Sequence, residues 1–373
     1  MSYPTTAHTL LDNIRHNLDG VRARVGGRQV LAAVKADAYG HGAVPVATMI
    51  ERTGAADWLG VATVEEGVRL REAGISLPIL KLSPTRGASD VLRALTSALT
   101  LTVVDEASVD QTARAADRLG LGGVGVHLKI DTGMRRVGVE PAEAPALAGR
   151  IVRSPGLRLQ GLFSHLPVSD TPDGVAFTRT QTVRFAEAVA AVQAAVGRVE
   201  LIHLANSGAV LGHPDTWFDL VRPGIMIYGS LPDPGAERTV DLRPGLRLTT
   251  RVSFVKPVAE GETVSYGRTW TAPRDTRIAT LPVGYGDGYS RLLSNRGRVL
   301  IDGRAHPIAG RVCMDQTMID LGPDSDVNVG DPVVLIGRSG DHEITVAEIA
   351  ETMGTIPYEV TCLITGRVTR EYR

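Results

Sequence analysis

The chain has 373 residues, a formal net charge of −1 and two cysteines, Cys313 and Cys362. This length predicts two domains, and 43% hydrophobic residues is enough for ordinary cores. The near-zero charge argues against a nucleic-acid or anionic-membrane surface, and two cysteines make neither a disulfide framework nor a zinc site. No apolar run approaches the roughly 20 residues of a membrane span, and residues 1–8 lack a signal-peptide pattern, so we expect a cytoplasmic protein.

The N-terminal part alternates short apolar runs with helical patterns, beginning with a helix over Leu10–Val25. Further helices are predicted, for example, at Val64–Ala73, Ala107–Leu119 and Phe177–Val196. Eight strands that alternate with helices predict a parallel (β/α)8 TIM-like barrel. The alternative, an open doubly wound sheet, usually carries a Gly-rich nucleotide fingerprint after its first strand, and this sequence has none. The eight predicted strands are Val30–Lys35, Trp58–Ala62, Pro78–Leu82, Leu99–Val104, Val124–Asp131, Leu157–Ser164, Val199–Ala205 and Leu220–Tyr228.

The pattern changes near Leu231–Gly235, a turn-rich segment that we interpret as a linker. Beyond it the apolar segments resemble strands, and one short helix is predicted at Val346–Met353. The fold class is therefore α/β, with a barrel over residues 1–235 and a mainly β domain over residues 236–373. The sequence also allows the N-terminal residues of the barrel part to pack on the second domain. The predicted strands of that domain are Leu246–Pro257, Thr276–Val283, Arg298–Ile301, His306–Ala309, Gln316–Asp320 and Asp331–Ile336.

A lysine, Lys35, stands where the first predicted strand ends. At the carboxyl end of a barrel strand an amine loses hydration, so its pKa can fall and it can form a Schiff base. A solvated lysine at a strand end is the common alternative. Tyr39 follows Lys35 in a turn that Gly40 and Gly42 punctuate.

Charged residues crowd the end of the fifth predicted strand, between His127 and Gly138. Lys129 alternates with apolar neighbours and so points into the barrel or its wall, where a lysine must be paired, neutral or modified. Arg136 follows a short loop later and is close enough to face Lys129. The alternative is a strand end with a solvated loop.

The ends of the sixth, seventh and eighth predicted strands carry further polar residues. His165 ends the sixth strand, where a histidine is more often a hydrogen-bonded structural group than a catalyst. Asn206 and Ser207 open a helix that they could simply cap. On a barrel, however, the loops after strands seven and eight form the usual phosphate site, and Gly224 lets the backbone approach an anion closely.

The second domain contributes three more segments. Tyr285 lies in a Gly-rich stretch that, taken alone, is a β-turn. Cys313 has no paired base, so we interpret it as a buried, inert thiol rather than a nucleophile. It precedes Met314, and Tyr358 lies near the end of the chain.

In their order along the chain, these segments resemble the motifs of the alanine racemase family. The resemblance covers nearly the whole chain and both domains. It implies a pyridoxal 5'-phosphate enzyme that interconverts L- and D-alanine and supplies D-alanine for peptidoglycan. The segments that carry it are Val34–Gly42, Lys129–Gly138, Ala205–Ser207, Arg222–Gly229, Gly284–Gly288, Gly310–Asp315 and Ile356–Val360.

The resemblance also implies roles for individual residues. Lys35 holds the cofactor and exchanges the Cα proton on one face of the substrate, and Tyr285 is the second proton-transfer group on the other face. Phosphate contacts come from Tyr39, Ser207, Gly224, Ile225 and Tyr358. The implied cofactor-binding set is Lys35, Tyr39, His165, Asn206, Ser207, Arg222, Gly224, Ile225 and Tyr358.

By the same resemblance, Arg222 donates to the pyridine nitrogen and His165 lies between Arg222 and the catalytic tyrosine. Because a guanidinium stays protonated, the ring nitrogen should stay unprotonated and the ring becomes a weaker electron sink. Lys129 is expected to be carbamylated, as N6-carboxylysine, and to anchor Arg136, which binds the substrate carboxylate. The backbone N–H of Met314 binds the same carboxylate.

The resemblance further implies a homodimer with shared active sites, because Tyr285 and Met314 come from the second subunit in family members. No metal, nucleic acid or membrane partner is expected. Two departures from the family pattern lie near these residues. Leu166, Pro167 and Val168 replace the usual residues after His165, and Gly286 replaces the usual alanine.

Three alternatives remain open from the sequence. A racemase of broader specificity, acting on serine or other small amino acids, is the nearest. A barrel-type amino-acid decarboxylase usually has an acidic partner for the pyridine nitrogen, where this chain has Arg222. A non-catalytic pyridoxal-phosphate carrier on the same barrel lacks the second domain.

Overall fold

The apolar runs of the N-terminal part form eight parallel strands in the computed structural model, which describes residues 4–373. Each run is short and buried on both faces, as parallel strands covered by helices are. The predicted strands are confirmed, mostly within two residues at each end. They are Gln29–Ala33, Trp58–Val61, Ile79–Pro84, Thr100–Val103, Val124–Lys129, Leu157–Phe163, Leu201–His203 and Leu220–Val221.

The eight strands lie in sequence order around a closed barrel. From the first to the seventh, each strand pairs in parallel with the next, and the eighth, Leu220–Val221, pairs with the first, Gln29–Ala33. The ring closes at the seventh strand, where the Asp219 N–H donates to the Ile202 carbonyl and the Arg222 N–H to the Ala205 carbonyl, each at 3.0 Å. The barrel prediction is therefore confirmed, and the carboxyl ends of the strands meet at one mouth.

Helices cover the outside of the barrel and bury one face each. Two of them begin with capping boxes, Thr63 with Glu66 and Asp105 with Ser108, which satisfy the free N–H groups of the first turn. The barrel-domain helices are Leu11–Val25, Ala43–Thr53, Val64–Glu72, Ala88–Thr96, Glu106–Arg118, Ala144–Arg153, Val175–Val196 and Ser207–Gly212. No helix among residues 4–373 is long and apolar enough to cross a membrane.

The eighth strand is much shorter than the predicted Leu220–Tyr228. It ends at Val221, and a 3-10 turn follows at Ile225–Tyr228. Pro223 has no N–H for a ladder, and Gly224 turns the chain with φ −120° and ψ −100°. The backbone therefore folds across the barrel mouth instead of continuing the strand.

The first strand of the chain, Thr6–Thr9, belongs to the sheet of the C-terminal part. It pairs antiparallel with Leu246–Arg251 and parallel with Thr369–Tyr372. The chain then enters helix Leu11–Val25, so the helix predicted from Leu10 is confirmed but is not the first element. The boundary between residues 235 and 236 stays a prediction.

The C-terminal part is mainly β, as predicted. The predicted strand Leu246–Pro257 is two strands, because the chain leaves the seven-stranded sheet near Val252 and enters a three-stranded sheet. Helix Val346–Met353 is confirmed, and helix Pro357–Cys362 was not predicted. The strands are Leu246–Arg251, Phe254–Val258, Thr263–Val264, Trp270–Thr271, Thr276–Leu281, Arg298–Ile301, Arg304–Pro307, Thr317–Gly322, Pro332–Ser339, His342–Ile344 and Thr369–Tyr372.

A fully buried asparagine ties the first helix to the end of the barrel. The Asn17 side chain donates to the carbonyls of Ile227 (3.0 Å) and Arg243 (2.8 Å), and its oxygen accepts the Arg243 N–H (2.7 Å). Three backbone groups of the segment that leads to the second domain are thereby satisfied by one side chain.

Replacing Asn17 by leucine should lower the free energy of unfolding by about 2–4 kcal/mol, because it leaves buried backbone groups without partners. Asn13→Leu is the matched control: Asn13 is only half-buried on the same helix and makes a single bond, to the Pro244 carbonyl at 2.8 Å, so its loss should cost less than about 1 kcal/mol. Urea unfolding measures both changes. Equal losses would contradict the role given to Asn17.

Candidate active site

The chain makes a left-handed turn directly after Lys35. The four residues Ala36–Tyr39 all have positive φ, between 50° and 55°, although none is glycine. Each such residue costs about 1–2 kcal/mol, so the turn stores roughly 4–8 kcal/mol that other contacts must offset. It brings the Lys35 amine to 5.9 Å from the centre of the Tyr39 ring.

The last residues of the chain pack against this turn. Gly40 has φ 81°, and a Cβ there would lie 2.1 Å from the Thr361 carbonyl, so only glycine fits. The Arg370 guanidinium donates to the Gly40 carbonyl and to the Ile364 carbonyl (3.0 Å). The geometry of the turn therefore depends on the C-terminal domain of the same chain.

A cavity of about 520 Å³ opens at the carboxyl ends of the barrel strands. It brings together four cationic side chains from distant parts of the sequence, Lys35, Lys129, Arg136 and Arg222. No Asp or Glu belongs to the described lining, so the cavity suits an anion. The full lining is Ala33, Lys35, Tyr39, Ala62, Leu82, Ser83, Pro84, Lys129, Arg136, Val137, Phe163, His165, Asn206, Ser207, Arg222, Gly224, Ile225 and Tyr358.

This crowding of positive charge shifts the pKa of each lysine. Burial, and then Arg136, lower the pKa of Lys35. Burial, and then Arg222 and Arg136, lower the pKa of Lys129 to about 7. Burial lowers the pKa of Arg222 to about 9. Both amines are therefore more easily deprotonated than ordinary lysines, and a neutral amine is the nucleophilic form.

Arg222 is almost fully buried and is held by neutral acceptors. One amino group of its guanidinium donates to the carbonyls of Ser164 (2.7 Å) and Leu204 (3.0 Å) and lies 3.4 Å from His165 Nδ1. The other donates to His203 Nδ1 at 3.1 Å. These partners fix the direction of the guanidinium without neutralising its charge.

The histidines behind Arg222 have defined tautomers. Because a guanidinium only donates, His203 Nδ1 accepts and its Nε2–H donates to His127 Nδ1 at 2.9 Å. Burial, and then Arg222, lower the pKa of His203 and lower that of His127 to about 3, so both rings are neutral. The same two causes lower the pKa of His165.

The opposite end of the cavity gathers backbone N–H groups and hydroxyls. Asn206 caps helix Ser207–Gly212 by accepting the Ala209 N–H at 3.1 Å. The Ser207 hydroxyl accepts the Gly224 N–H at 2.8 Å. A Cβ on Gly224 would lie 2.6 Å from the Tyr39 hydroxyl, so glycine keeps this space open.

Two other predicted residues complete this end. The Tyr39 ring packs on Tyr358, with ring centres 5.8 Å apart. Ile225 begins the 3-10 turn beside Gly224 and is buried. The predicted cofactor-binding residues are thus all found in one cavity, although they come from opposite ends of the sequence.

The loop after the fifth strand brings Arg136 back towards Lys129. The Val139 N–H donates to the Lys129 carbonyl at 2.9 Å, and the Asp131 N–H donates to the Val139 carbonyl at 2.8 Å. The Asp131 side chain accepts two further N–H groups inside the loop, at 2.9 and 3.0 Å. Lys129 and Arg136 therefore line the same cavity.

Tyr285 and Met314 lie together but outside the described lining of this cavity. The Tyr285 N–H donates to the Cys313 carbonyl at 3.0 Å, and the Gly286 N–H donates to the Met314 carbonyl at 2.9 Å. Their side chains are 42% and 53% exposed. Within one chain the predicted residues thus form two separate groups.

A second exposed tyrosine near this group was missed by the sequence reasoning. Tyr266 is 72% exposed and lies in a turn where Ser265, Gly267 and Arg268 all have positive φ. The Ser265 hydroxyl fixes the turn to the Arg311 carbonyl at 2.7 Å. The sequence pattern that could have indicated Tyr266 is a tyrosine followed by a glycine between two short β segments. The same pattern is typical of an ordinary turn.

Cys313 differs from the expectation of a buried thiol. It is half-buried, and its thiol donates to the Arg311 carbonyl at 3.5 Å. The next residue, Met314, is 53% exposed, so this segment lies at the surface and Cys313 is only partly covered. No group of three or more possible metal ligands occurs among residues 4–373.

Comparison with known proteins gives matches over both domains. The model of the alanine racemase N-terminal domain matches residues 10–232, and that of the C-terminal domain matches residues 245–372. An alanine racemase of Cutibacterium acnes is 51% identical over 369 residues, covering 98% of each chain. One of Symbiobacterium thermophilum is 45% identical over 370 residues, covering 99% of this chain and 97% of the relative.

Solved structures agree with these matches. The alanine racemase of Clostridium difficile 630 superposes with a TM-score of 0.94 at 35% identity, covering 100% of this chain and 96% of that one. The enzyme from a D-cycloserine-producing Streptomyces lavendulae superposes with a TM-score of 0.93 at 36% identity, covering 100% and 98%. Fold, cavity and both domain matches agree, and the chain belongs to the alanine racemase family.

Proposed function

We propose that this chain interconverts L- and D-alanine with pyridoxal 5'-phosphate and supplies D-alanine for peptidoglycan. The observation that carries the proposal is the cationic cavity at the barrel mouth, in which Lys35 and Arg222 lie among hydroxyl and backbone donors. Relatives named alanine racemase support the choice of substrate.

The residues present fit this cofactor. Its phosphate needs donors and open space, which Ser207, Tyr358 and the gap at Gly224 supply beside Tyr39. Its ring nitrogen needs a partner, and Arg222 is a buried donor that already faces the cavity. Its carbonyl carbon needs an amine, and Lys35 has a lowered pKa. His165 and Asn206 orient these groups.

Lys35 acts twice in this proposal. Its amine would hold the cofactor, and, when free of it, would take or return the Cα proton at Nζ. When bound, pyridoxal phosphate holds the amino group of alanine and withdraws electrons from Cα, so that the Cα proton can depart. Lys35 exchanges the proton on the face of the substrate from which D-alanine loses its Cα proton.

Arg222 restricts the outcome to proton exchange. It carries only donors, so it keeps the ring nitrogen unprotonated and weakens the electron withdrawal. The proton is then returned quickly, before decarboxylation or transamination competes. A decarboxylase of this fold would need an acidic partner for that nitrogen, and no Asp or Glu belongs to the described cavity lining.

Arg136 holds the substrate carboxylate, together with the Met314 backbone N–H of a second chain. We propose that the neutral Lys129 amine attacks carbon dioxide and loses a proton, which gives N6-carboxylysine. This replaces a positive charge by a negative one beside Arg136, and a bidentate ion pair can form. The pKa of about 7 for Lys129 supports this step, because half the amine is then neutral near pH 7.

The opposite face of the substrate needs a second proton donor, at a tyrosine hydroxyl. The sequence motif assigns this role to Tyr285, and Tyr266 is a second candidate. Tyr266 is the more exposed, at 72% against 42%, and two non-glycine residues of its turn, Ser265 and Arg268, have positive φ. These observations lead us to favour Tyr266 over Tyr285.

Both tyrosines and Met314 lie outside the cavity of their own chain, so we propose a homodimer with shared sites. A two-fold axis places each β domain over the cavity of the partner and makes two equivalent sites. We also propose a cytoplasmic location, which the two unpaired cysteines support.

The purified holoenzyme should convert L-alanine to D-alanine and the reverse, with chirally resolved product as the measurement. Alanine should turn over faster than L-serine and other small amino acids in the same panel. Carbon dioxide release or keto-acid formation in place of D-alanine would contradict the proposed reaction, and faster turnover of serine would contradict the proposed substrate.

Tyr266→Phe should lower racemisation by about 10²-fold or more, because phenylalanine has no proton to exchange. Tyr285→Phe should cost less than Tyr266→Phe. Cofactor absorbance should be retained in both variants, which shows that the cavity is intact. A larger loss in Tyr285→Phe would return the role to the residue that the sequence motif indicates.

Co-expression of two inactive variants tests the shared site. Lys35→Ala and the less active tyrosine variant are produced in equal amounts and allowed to pair. If sites are shared, a mixed dimer has one intact site, and random pairing should restore roughly a quarter of wild-type activity. Mixed dimers that are isolated and remain inactive would show that each site is built from one chain.

A further inference from the structure

The side chain of Glu66 makes more backbone contacts than a helix cap requires. Glu66 lies in the first turn of helix Val64–Glu72, and its Oε2 accepts the Thr63 N–H (3.0 Å) and the Ala62 N–H (2.7 Å). Thr63 in turn accepts the Glu66 N–H at 3.2 Å. A capping box explains the exchange between Thr63 and Glu66 alone.

The other oxygen of Glu66 reaches a different barrel strand. Oε1 accepts the Ala36 N–H at 2.7 Å. Ala36 directly follows Lys35 and is the first residue of the left-handed turn. One carboxylate therefore joins the end of strand Gln29–Ala33, through its turn, to the end of strand Trp58–Val61.

Only a carboxylate of this length satisfies the arrangement. Three N–H groups converge on two oxygens, so a glutamine at position 66 would turn an amide donor towards an N–H. An aspartate keeps the charge but is one methylene shorter. It can stay near Ala62 and Thr63 while losing its reach to Ala36.

Glu66 also contributes to the charge around Lys35. The charged and titratable groups that act on the Lys35 amine are Arg136 and Arg222, which lower its pKa, and Glu66 and Cys362, which raise it. Lys129 faces the same cavity, and the Tyr39 ring lies 5.9 Å away. Among the groups that raise the pKa of Lys35, Glu66 is the carboxylate.

We propose that Glu66 is a positioning residue for the racemisation, because its carboxylate holds the left-handed turn that aims Lys35 and Tyr39 into the cavity. The inference rests on the proposed function for the reaction that is measured. It adds a residue that does not belong to the described cavity lining and that acts through the backbone of Ala36.

The test compares Glu66→Gln and Glu66→Asp with Glu65→Gln. Glu65 is the preceding residue of the same helix, and its carboxylate pairs with Arg93 at 2.6 Å on the exposed surface. All three variants change one carboxylate in the same helical turn. The measurements are the cofactor affinity of the apo-protein, kcat, KM and the pH dependence of kcat, below the temperature at which circular dichroism detects unfolding.

Glu66→Gln should bind the cofactor about tenfold more weakly or worse and lower kcat by about tenfold to a hundredfold, because small displacements of a reacting group are costly. KM for alanine should change by less than about threefold, since Arg136 is untouched. The acid limb of kcat should move to lower pH, because the Lys35 amine, which is free in the substrate complex, loses the charge that raises its pKa. Glu65→Gln should stay within about twofold in every measurement.

Glu66→Asp keeps the negative charge but shortens the side chain, so it separates the effect of the charge on Lys35 from the effect of the bond to Ala36. It should leave the acid limb near its wild-type position while still lowering cofactor affinity and kcat. If Glu66→Gln does not fold, this aspartate variant decides, because its carboxylate can still accept the Ala62 and Thr63 N–H groups. An aspartate variant with wild-type affinity and kcat would overturn the proposal.

Two further results would also overturn it. One is a Glu66→Gln variant indistinguishable from Glu65→Gln. The other is a variant with a lower melting temperature but unchanged affinity, kcat and acid limb, which would make Glu66 a structural cap alone. Failure of the proposed function gives a different pattern: the wild-type protein itself does not racemise alanine, and the cofactor affinities still decide the role of Glu66.

Discussion

Uncompensated positive charge at the barrel mouth is the constraint on which the site depends. Lys35, Lys129, Arg136 and Arg222 share one cavity, and no carboxylate belongs to its described lining. Burying such charges is costly, so the pKa of Lys129 falls to about 7 and that of Arg222 to about 9. Neutral imidazoles and carbonyl groups fix the orientation of the Arg222 guanidinium without neutralising its positive charge. The cavity therefore suits anions, such as the phosphate and the substrate carboxylate of the proposed reaction.

The strained turn after Lys35 explains why the barrel needs its second domain. Four consecutive left-handed residues are unstable by themselves, and contacts from two directions hold them. Glu66 binds the Lys35 end from the barrel, while Arg370 and the Thr361 backbone enclose Gly40 from the C-terminal domain. The orientation of the Lys35 amine is thus set by residues far from it in sequence.

The sequence predicted the barrel well because each strand is a short apolar run bounded by turns, and that pattern is local. It predicted the cavity residues through motifs at strand ends, where a barrel gathers its chemistry. It missed what depends on distant contacts: the pairing of Thr6–Thr9 with the last strand, the early end of the eighth strand at Val221, and the reach of Glu66 to Ala36. Tyr266 was missed because its short motif resembles any glycine turn.

Backbone hydrogen bonds that attach the barrel to the C-terminal domain limit how Tyr266 and Met314 can reach a cavity. The start of the barrel's first helix is tied to the C-terminal part at two points: the Leu10 N–H donates to the Gly245 carbonyl at 2.8 Å, and the Leu11 N–H to the Arg373 carbonyl at 2.6 Å. A β domain held in this way does not swing freely over its own barrel. Tyr266 and Met314 are therefore presented outward, and the cavity of the same chain stays open. In the homodimer proposed above, each chain would expose the group that the other lacks, and a two-fold axis would satisfy both at once.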